Sequence, residues 1–387
     1  LVFKTLADPY VGKLNFFRVY GGEIKSDSVV YNANKEKEEK IGQIFTMRGK
    51  HQESLTAVKA GDIAVVAKLQ VTETGDTLCK KDNPVILEGI DFPEPMLSIA
   101  IEPKSKGDED KLSGAIGKLT EADPTLRVEK NTETKETILT GTGETHLDIV
   151  LERLQQKFGV EVTSRKPKIP YREAIRSTVQ QEGKYKKQTG GRGQYGHVWI
   201  TFEPTTEADF IFEEKVFGGA VPKQYFPAVE KGLREALNEG VLAGYPVIGV
   251  KATLYDGSYH PVDSSEMAFK IAASMAFKKG MEKADPVLLE PIMNVEITVP
   301  EQFMGDIMGD LNGKRGRIMG MEPLPDGMQL IKAQVPLAEM QDYAIVLKSI
   351  TQGRGSFKME FASYEEVPAK LAEEIIEKHR AEKEEEK

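Results

Sequence analysis

Apolar and polar residues alternate, or nearly so, through most of the first 92 residues. Val11 to Tyr20 alternates and stops at Gly21-Gly22. Short β-rich runs follow at 28–32, 41–47 and 63–70, separated by Gly, Asp and Asn. Many short strands between turn residues predict a small barrel over 1–92. From residue 93 the period changes. A strand over Met96–Ile101 is followed by helical spacing over Asp108–Thr120, with Leu112, Ile116 and Leu119 on one face. Paired strands come next, at 126–128 and 137–139. A helix over Glu144–Phe158 is stopped by Gly159, and a last strand covers 160–162. The order βαββαβ over 93–166 is the split βαβ of ferredoxin-like domains.

The same order recurs over 287–387. A strand over 295–299 ends at Pro300, and a short helix covers Gln302–Leu311. Strands at 317–322 and 328–335 precede a helix over Leu337–Gln352 and a strand over Ser356–Phe361. Pro368 opens a charged C-terminal helix. Between the two repeats, 167–286 predicts a mixed α/β domain. Its strands are expected over Ile175–Tyr185, Tyr195–Glu203 and Val247–Leu254, and its helices over Pro222–Glu239 and Ser264–Lys279. Asp263 or Ser264 is expected to cap the second helix. The fold class is therefore multi-domain α+β: a barrel, two ferredoxin-like βαββαβ units and an elongated α/β unit between them.

Composition adds limits. A chain of 387 residues exceeds one ordinary core. Hydrophobic residues make up 40% and charged residues 29%, as in ordinary globular proteins. Cys79 is the single cysteine, so an internal disulfide is excluded and a reducing, cytoplasmic setting is expected. No apolar run approaches the ~20 residues of a membrane helix. The chain opens on Leu1-Val2-Phe3-Lys4 without Met and is expected to be part of a longer protein. Net charge is −9, which argues against a globally basic nucleic-acid binder. Its distribution changes that picture. Between Ser164 and Arg192, nine Lys/Arg face only Glu173 and Glu182, a local surplus that attracts phosphate.

Candidate chemistry concentrates in two turns, 188–196 and 256–263. Gly191-x-Gly193-x-x-Gly196 matches the dinucleotide fingerprint by letter, but that fingerprint needs a helix after it. His197-Val198-Trp199-Ile200-Thr201-Phe202 predicts a strand, so the nucleotide reading is rejected. Lys184, Lys186, Lys187 and Arg192, interleaved with Tyr185 and Tyr195 around a Gly-rich hairpin tip, suit RNA through phosphate pairing and base stacking. A plain surface hairpin fits the same letters. His260, Asp263 and Glu266 have weak spacing for a metal or an acid–base pair, and no catalytic residue or metal site is expected. His146, at a helix start, is expected to be structural. No G-x-x-x-x-G-K-[ST] loop occurs; Gly309-Asp310-Leu311-Asn312-Gly313-Lys314-Arg315 has the wrong spacing.

Several stretches, in order along nearly the whole chain, resemble elongation factor G. They are Ala7-Asp8-Pro9-Tyr10-Val11-Gly12, Gly141-x-Gly143-Glu144-x-His146-Leu147 and Gly190-Gly191-Arg192-Gly193-Gln194-Tyr195-Gly196. Leu242-Ala243-Gly244-Tyr245-Pro246-Val247 and Asp256-Gly257-Ser258-Tyr259-His260-x-Val262-Asp263-Ser264-Ser265-Glu266 follow. Met304-Gly305-Asp306 and Thr351-Gln352-Gly353-Arg354-Gly355 complete the set. The resemblance covers the family's second to fifth domains, the fourth of them S5-like. It implies a ribosome-dependent GTPase that moves transfer RNAs and messenger RNA, with GTP and Mg held by a domain outside this chain and no cofactor within it.

The resemblance further implies a monomer whose partners are both ribosomal subunits, 16S and 23S rRNA, ribosomal protein S12 and the tRNA–mRNA duplex. Gln188, Thr189, Gly190, Gly191, Arg192, Gln194, Tyr195, His260 and Asp263 would form the decoding-site tip. Lys314, Arg315 and Arg317 would face large-subunit rRNA. Pro261 and His197 stand where acidic residues are expected in the housekeeping factor. A paralogue acting in ribosome recycling or protection is the alternative.

Overall fold

The computed structural model describes residues 1–8, 11–49, 51–188 and 193–385. It is a mixed α+β protein whose parts follow one another along the chain. Short strands make the first part: β1 Val2–Asp8, β2 Gly12–Arg18, β3 Glu23–Lys25, β4 Val29–Asn32, β5 Lys37–Lys40, β6 Ile44–Arg48, β7 His51–Leu55, β8 Ala57–Lys59, β9 Ile63–Ala67 and β10 Leu78–Cys79. They pair as β1-β2-β9-β6-β7, β10-β4-β5 and β3-β8. Alternation supplies the core: Val2, Phe17, Ile41, Ile44, Val58 and Val66 point inward and are buried. Glu39, also buried, accepts the backbone N–H groups of Gln70, Val71 and Thr72.

The second part runs β11 Leu97–Pro103, α1 Glu109–Ala122, β12 Arg127–Asn131, β13 Glu136–Gly141, α2 Glu144–Phe158 and β14 Val162–Arg165. Its sheet order, β12-β13-β11-β14, is ferredoxin-like and antiparallel throughout. Helix α2 begins after Gly143 and ends at Gly159, which takes the left-handed conformation at φ 67°. A side chain there would strain that backbone. Leu147, Val150 and Leu154 recur at helical spacing and are buried.

The next strand departs from the sequence expectation of one strand over Ile175–Tyr185. Instead, β15 Arg172–Ile175 and β16 Val179–Lys187 are separate and lie in different sheets. The break is tertiary: the amides of Arg176 and Ser177 donate to the carbonyl of Ala284. Strand β16 pairs with β17 Gln194–Pro204. That sheet, β16-β17-β19-β18, adds β18 Phe210–Glu214 and β19 Val250–Ser258. Helices α3 Phe226–Ala236 and α4 Glu266–Lys283 cover one face. Val198, Ile200 and Phe202 of β17 are fully buried against Phe269 and Phe277 of α4.

Strand β15 pairs with β20 Pro286–Pro300, far longer than the expected 295–299. Helix α5 Met304–Gly313, β21 Arg317–Leu324, β22 Met328–Pro336, α6 Leu337–Met340, α7 Tyr343–Ile350 and β23 Ser356–Glu366 complete a second ferredoxin-like order, β23-β20-β22-β21. The helix expected over 337–352 is divided at Gln341 and Asp342. There the Gln341 side-chain amide donates to Pro167 O at 2.6 Å, and Asp342 pairs with Lys166. One continuous apolar cluster runs through both ferredoxin-like units, from Leu97 and Leu139 to Ile331 and Phe357.

Helix α8 Ala369–Glu385 closes the chain. Leu371, Ala372, Ile375 and Ile376 pack on Tyr171, Leu288 and Val367. Its His379 Nδ1 donates to Ala243 O at 2.9 Å and its Arg380 Nε donates to Leu242 O at 2.8 Å. The same loop is held from its other side by Glu173. That buried carboxylate accepts the N–H groups of Leu242, Ala243, Gly244 and Tyr245 at 2.9–3.1 Å. A charge that accepts several amide hydrogen bonds is satisfied without a cation.

Candidate nucleic-acid interface

Strands β16 and β17 form a long hairpin in register from Val179↔Phe202 to Lys187↔Gln194. Its tip holds the first of the two turns. Thr189, Gly190, Gly191 and Arg192 lie outside the described residues. Gly193 and Gly196 run into β17, a strand, as the rejection of a dinucleotide site requires. Two glycines let α4 lie on the hairpin. A Cβ at Gly183 would fall 2.0 Å from Ala272 O, and one at Gly196 would fall 2.4 Å from Ala268 O.

The second turn, after β19, sits beside the first. The N–H of Tyr195 donates to Asp263 O at 2.9 Å, and Ser264 Oγ donates to Tyr195 O at 2.9 Å. A Cβ at Gly193 would meet the Asp263 carboxylate at 2.9 Å. Asp263 does not cap α4. The cap is Ser265, whose Oγ accepts the N–H of Ala268 at 3.2 Å. Ser264, the other expected cap, instead bridges the turns: its Oγ also accepts the N–H of His260 at 2.9 Å.

His260 Nδ1 accepts the N–H groups of Val262 and Asp263 at 3.3 and 3.1 Å. An accepting Nδ1 places the neutral ring's proton on Nε2. The side chain is 52% exposed, so it offers an N–H donor to a ligand. Gln188, Lys184, Lys186 and Lys187 are exposed along the hairpin. Tyr185 donates to Gln194 Oε1 at 2.9 Å and stiffens it. The arrangement therefore presents ammonium groups, an imidazole N–H and a side-chain amide at the tip end of the sheet. That donor set suits phosphate and hydroxyl oxygens, which accept hydrogen bonds.

Behind the tip lies a polar chain that spacing alone does not reveal. Tyr195 Oη and His197 Nδ1 each lie 2.7 Å from Ser258 Oγ, and His197 Nε2 lies 2.8 Å from Glu182 Oε1. The alternation that puts Tyr195 and His197 on one face of β17 was the available signal. Ser258, across the sheet from His197, had none.

Lys314, Arg315 and Arg317 lie elsewhere, at the turn after α5. Lys314 Nζ is 3.8 Å from Asp310. Arg315 turns inward, where it binds buried Glu290 through two nitrogens and Glu339 at 3.0 Å. Arg317 is exposed and pairs with Glu365. His146 is structural. Its Nδ1 accepts the N–H of Thr142 at 3.1 Å, so Nε2 donates to Asp123 at 2.9 Å. Burial works against the Asp123 carboxylate's charge, but hydrogen bonds from Thr125 and His146 outweigh it and hold its pKa below the usual value. Among the described residues, no helix is long and apolar enough to cross a membrane.

Small sheets of short strands, two ferredoxin-like units and an α/β unit with a donor-rich tip, taken with the family models, define a translation elongation factor type of protein. Family models agree along the chain: "Elongation factor G domain 2" at 1–81, "Elongation Factor G, domain III" at 92–166, "Elongation factor G, domain IV" at 167–285 and "Elongation factor G C-terminus" at 287–375. A crystal structure of a protein from Thermus thermophilus is similar over 98% of this chain, with 41% identity and a TM-score of 0.80. The chain spans 57% of that longer protein. It belongs to the elongation factor G family.

Proposed function

We propose that this chain is the ribosome-engaging portion of a translational GTPase, and that its tip promotes movement of tRNA and mRNA. Gln188, Gln194, Tyr195, His260 and Asp263, with Thr189 to Arg192 between them, contact the tRNA–mRNA duplex and small-subunit 16S rRNA. The observation that carries this reading is the Ser264 bridge. It brings Tyr195 and the His260 turn together at the end of the sheet toward which exposed Lys184, Lys186 and Lys187 also lie. The mechanism is steric and electrostatic. Donors on the tip replace decoding-site rRNA against the duplex minor groove, whose 2′-hydroxyls accept them, so the duplex slips while still paired. GTP and Mg belong to a GTPase domain outside these residues.

On the fourth part, exposed Arg317 and half-buried Lys314 are the candidates for 23S rRNA, while Arg315 acts by holding their turn. A recycling or protection role for a family paralogue is favoured by His197. This residue, at a position where the resemblance implies an acid, is tied to Glu182 and Ser258.

The test is directed cleavage of rRNA. Gln188→Cys, in a Cys79→Ser background, is loaded with a tethered iron chelate and bound to ribosomes. Cleavage in the small-subunit decoding region is expected. Cleavage confined to the large subunit contradicts the assignment.

A further inference from the structure

A second exposed feature lies near the tip and is not used above. Between β18 and α3 the chain runs Val216-Phe217-Gly218-Gly219-Ala220-Val221. Val216 and Val221 are anchored in the core, and Val221 is 1% exposed. Phe217 between them is 87% exposed. Gly218 and Gly219 take left-handed φ angles of 66° and 71°, and added Cβ atoms would meet nothing within 4 Å. The glycines are therefore needed for the turn itself, and the turn aims the ring outward. An outward phenylalanine held by a special backbone calls for a partner.

Phe217 walls a groove of about 360 Å³ that Phe226 and Val221 also line. Lys215 and Lys223 lie on its rim, with Glu214 the opposing acid. Lys215 Nζ is 3.1 Å from Glu213, but Glu213 also holds Lys251 at 3.0 Å, so Lys215 can leave without stranding that carboxylate. Lys223 has no ion-pair partner among the described residues. An aromatic wall beside two ammonium groups matches a nucleobase with its phosphate. The N–H of Lys215 donates to Leu254 O at 2.8 Å, four residues before Ser258 on β19, so the groove opens about 13 Å along that strand from the tip turn.

We infer that this groove binds one unstacked base of single-stranded or looped RNA, with the base on the Phe217 ring and its phosphate on Lys215 and Lys223. The inference rests on the RNA-contacting reading and extends the contact beyond the tip.

The experiment uses the intact chain and two probes, an unstructured RNA of about six nucleotides and purified ribosomes. The wild type is expected to bind the oligonucleotide. Phe217→Ala should weaken that binding about tenfold. Phe217→Trp, in a Trp199→Phe background, should retain binding and lose fluorescence as the base stacks. Gln188→Ala with His260→Ala should lower ribosome affinity, and in that background Phe217→Ala should still weaken the oligonucleotide about tenfold. If Phe217→Ala binds the oligonucleotide as the wild type does, or Phe217→Trp emission ignores it, the groove assignment fails while the tip variant still reports on the tip. No oligonucleotide binding by the wild type would overturn the inference, whether or not Phe217→Ala weakens ribosome binding.

Discussion

The hydroxyl of Ser264 donates to the carbonyl of Tyr195 at 2.9 Å, across 69 positions of sequence. The same oxygen accepts the N–H of His260. One small side chain thereby fixes two turns from different parts of the third unit at a common edge. The donors on that edge are held by backbone contacts before any ligand arrives, which reduces the entropy lost on binding.

The close approach of hairpin and helix gives the first prediction. Gly183→Ala or Gly196→Ala would force a methyl group into a helix carbonyl, at 2.0 or 2.4 Å. Overpacking of this kind costs about 1–3 kcal/mol. Hydrogen exchange of α4 amides should accelerate in both variants. Gly114→Ala, at an exposed position of α1 with open space around it, should instead stabilise its helix by about 1 kcal/mol.

Arg315 supplies the second. Its partner Glu290 has a side chain 2% exposed. Arg315→Ala leaves a buried charge alone and should cost about 3–5 kcal/mol in urea unfolding. Adding Glu290→Gln should recover part of the loss. Arg317→Ala, in an exposed pair with Glu365, should cost less than about 1 kcal/mol. Equal effects at the two positions would remove the structural role given to Arg315.

Alkaline pH tests the junction of the last two units. Burial first, and the charge of Glu290 second, push the Tyr171 phenol up to about 12 from its ordinary value of 10.0. The folded protein favours the neutral phenol. That contribution is complete below pH 10 and is lost between pH 10 and 12, with a slope approaching about 1.4 kcal/mol per pH unit for one group. Tyr171→Phe should flatten the decline in stability over this window. Some slope should remain from Tyr343, whose phenol burial also raises.

What could be read from the sequence was local. Helix α2 was legible from Gly143, its apolar spacing and Gly159, all within one segment, and it spans the expected residues. The strand nature of β17 followed from Val198, Ile200 and Phe202 alternating. The split between β15 and β16 was not legible, because the amides of Arg176 and Ser177 bond to Ala284 far along the chain. The cap of α4 was misassigned by one or two positions: three consecutive residues, Asp263 to Ser265, can all accept an amide, and only the fold commits Ser264 to the bridge. Arg315 looked like a surface cation because Glu290 and Glu339 meet it only in three dimensions.

The central claim is that the tip edge acts on the tRNA–mRNA duplex. Single-turnover translocation should be measured on pre-translocation ribosomes, with this chain in a fusion that supplies a GTPase domain. Gln188→Ala with His260→Ala should slow translocation at least about tenfold, equivalent to ~1.4 kcal/mol of barrier, and leave GTP turnover nearly intact. Translocation at the unaltered rate would contradict the account.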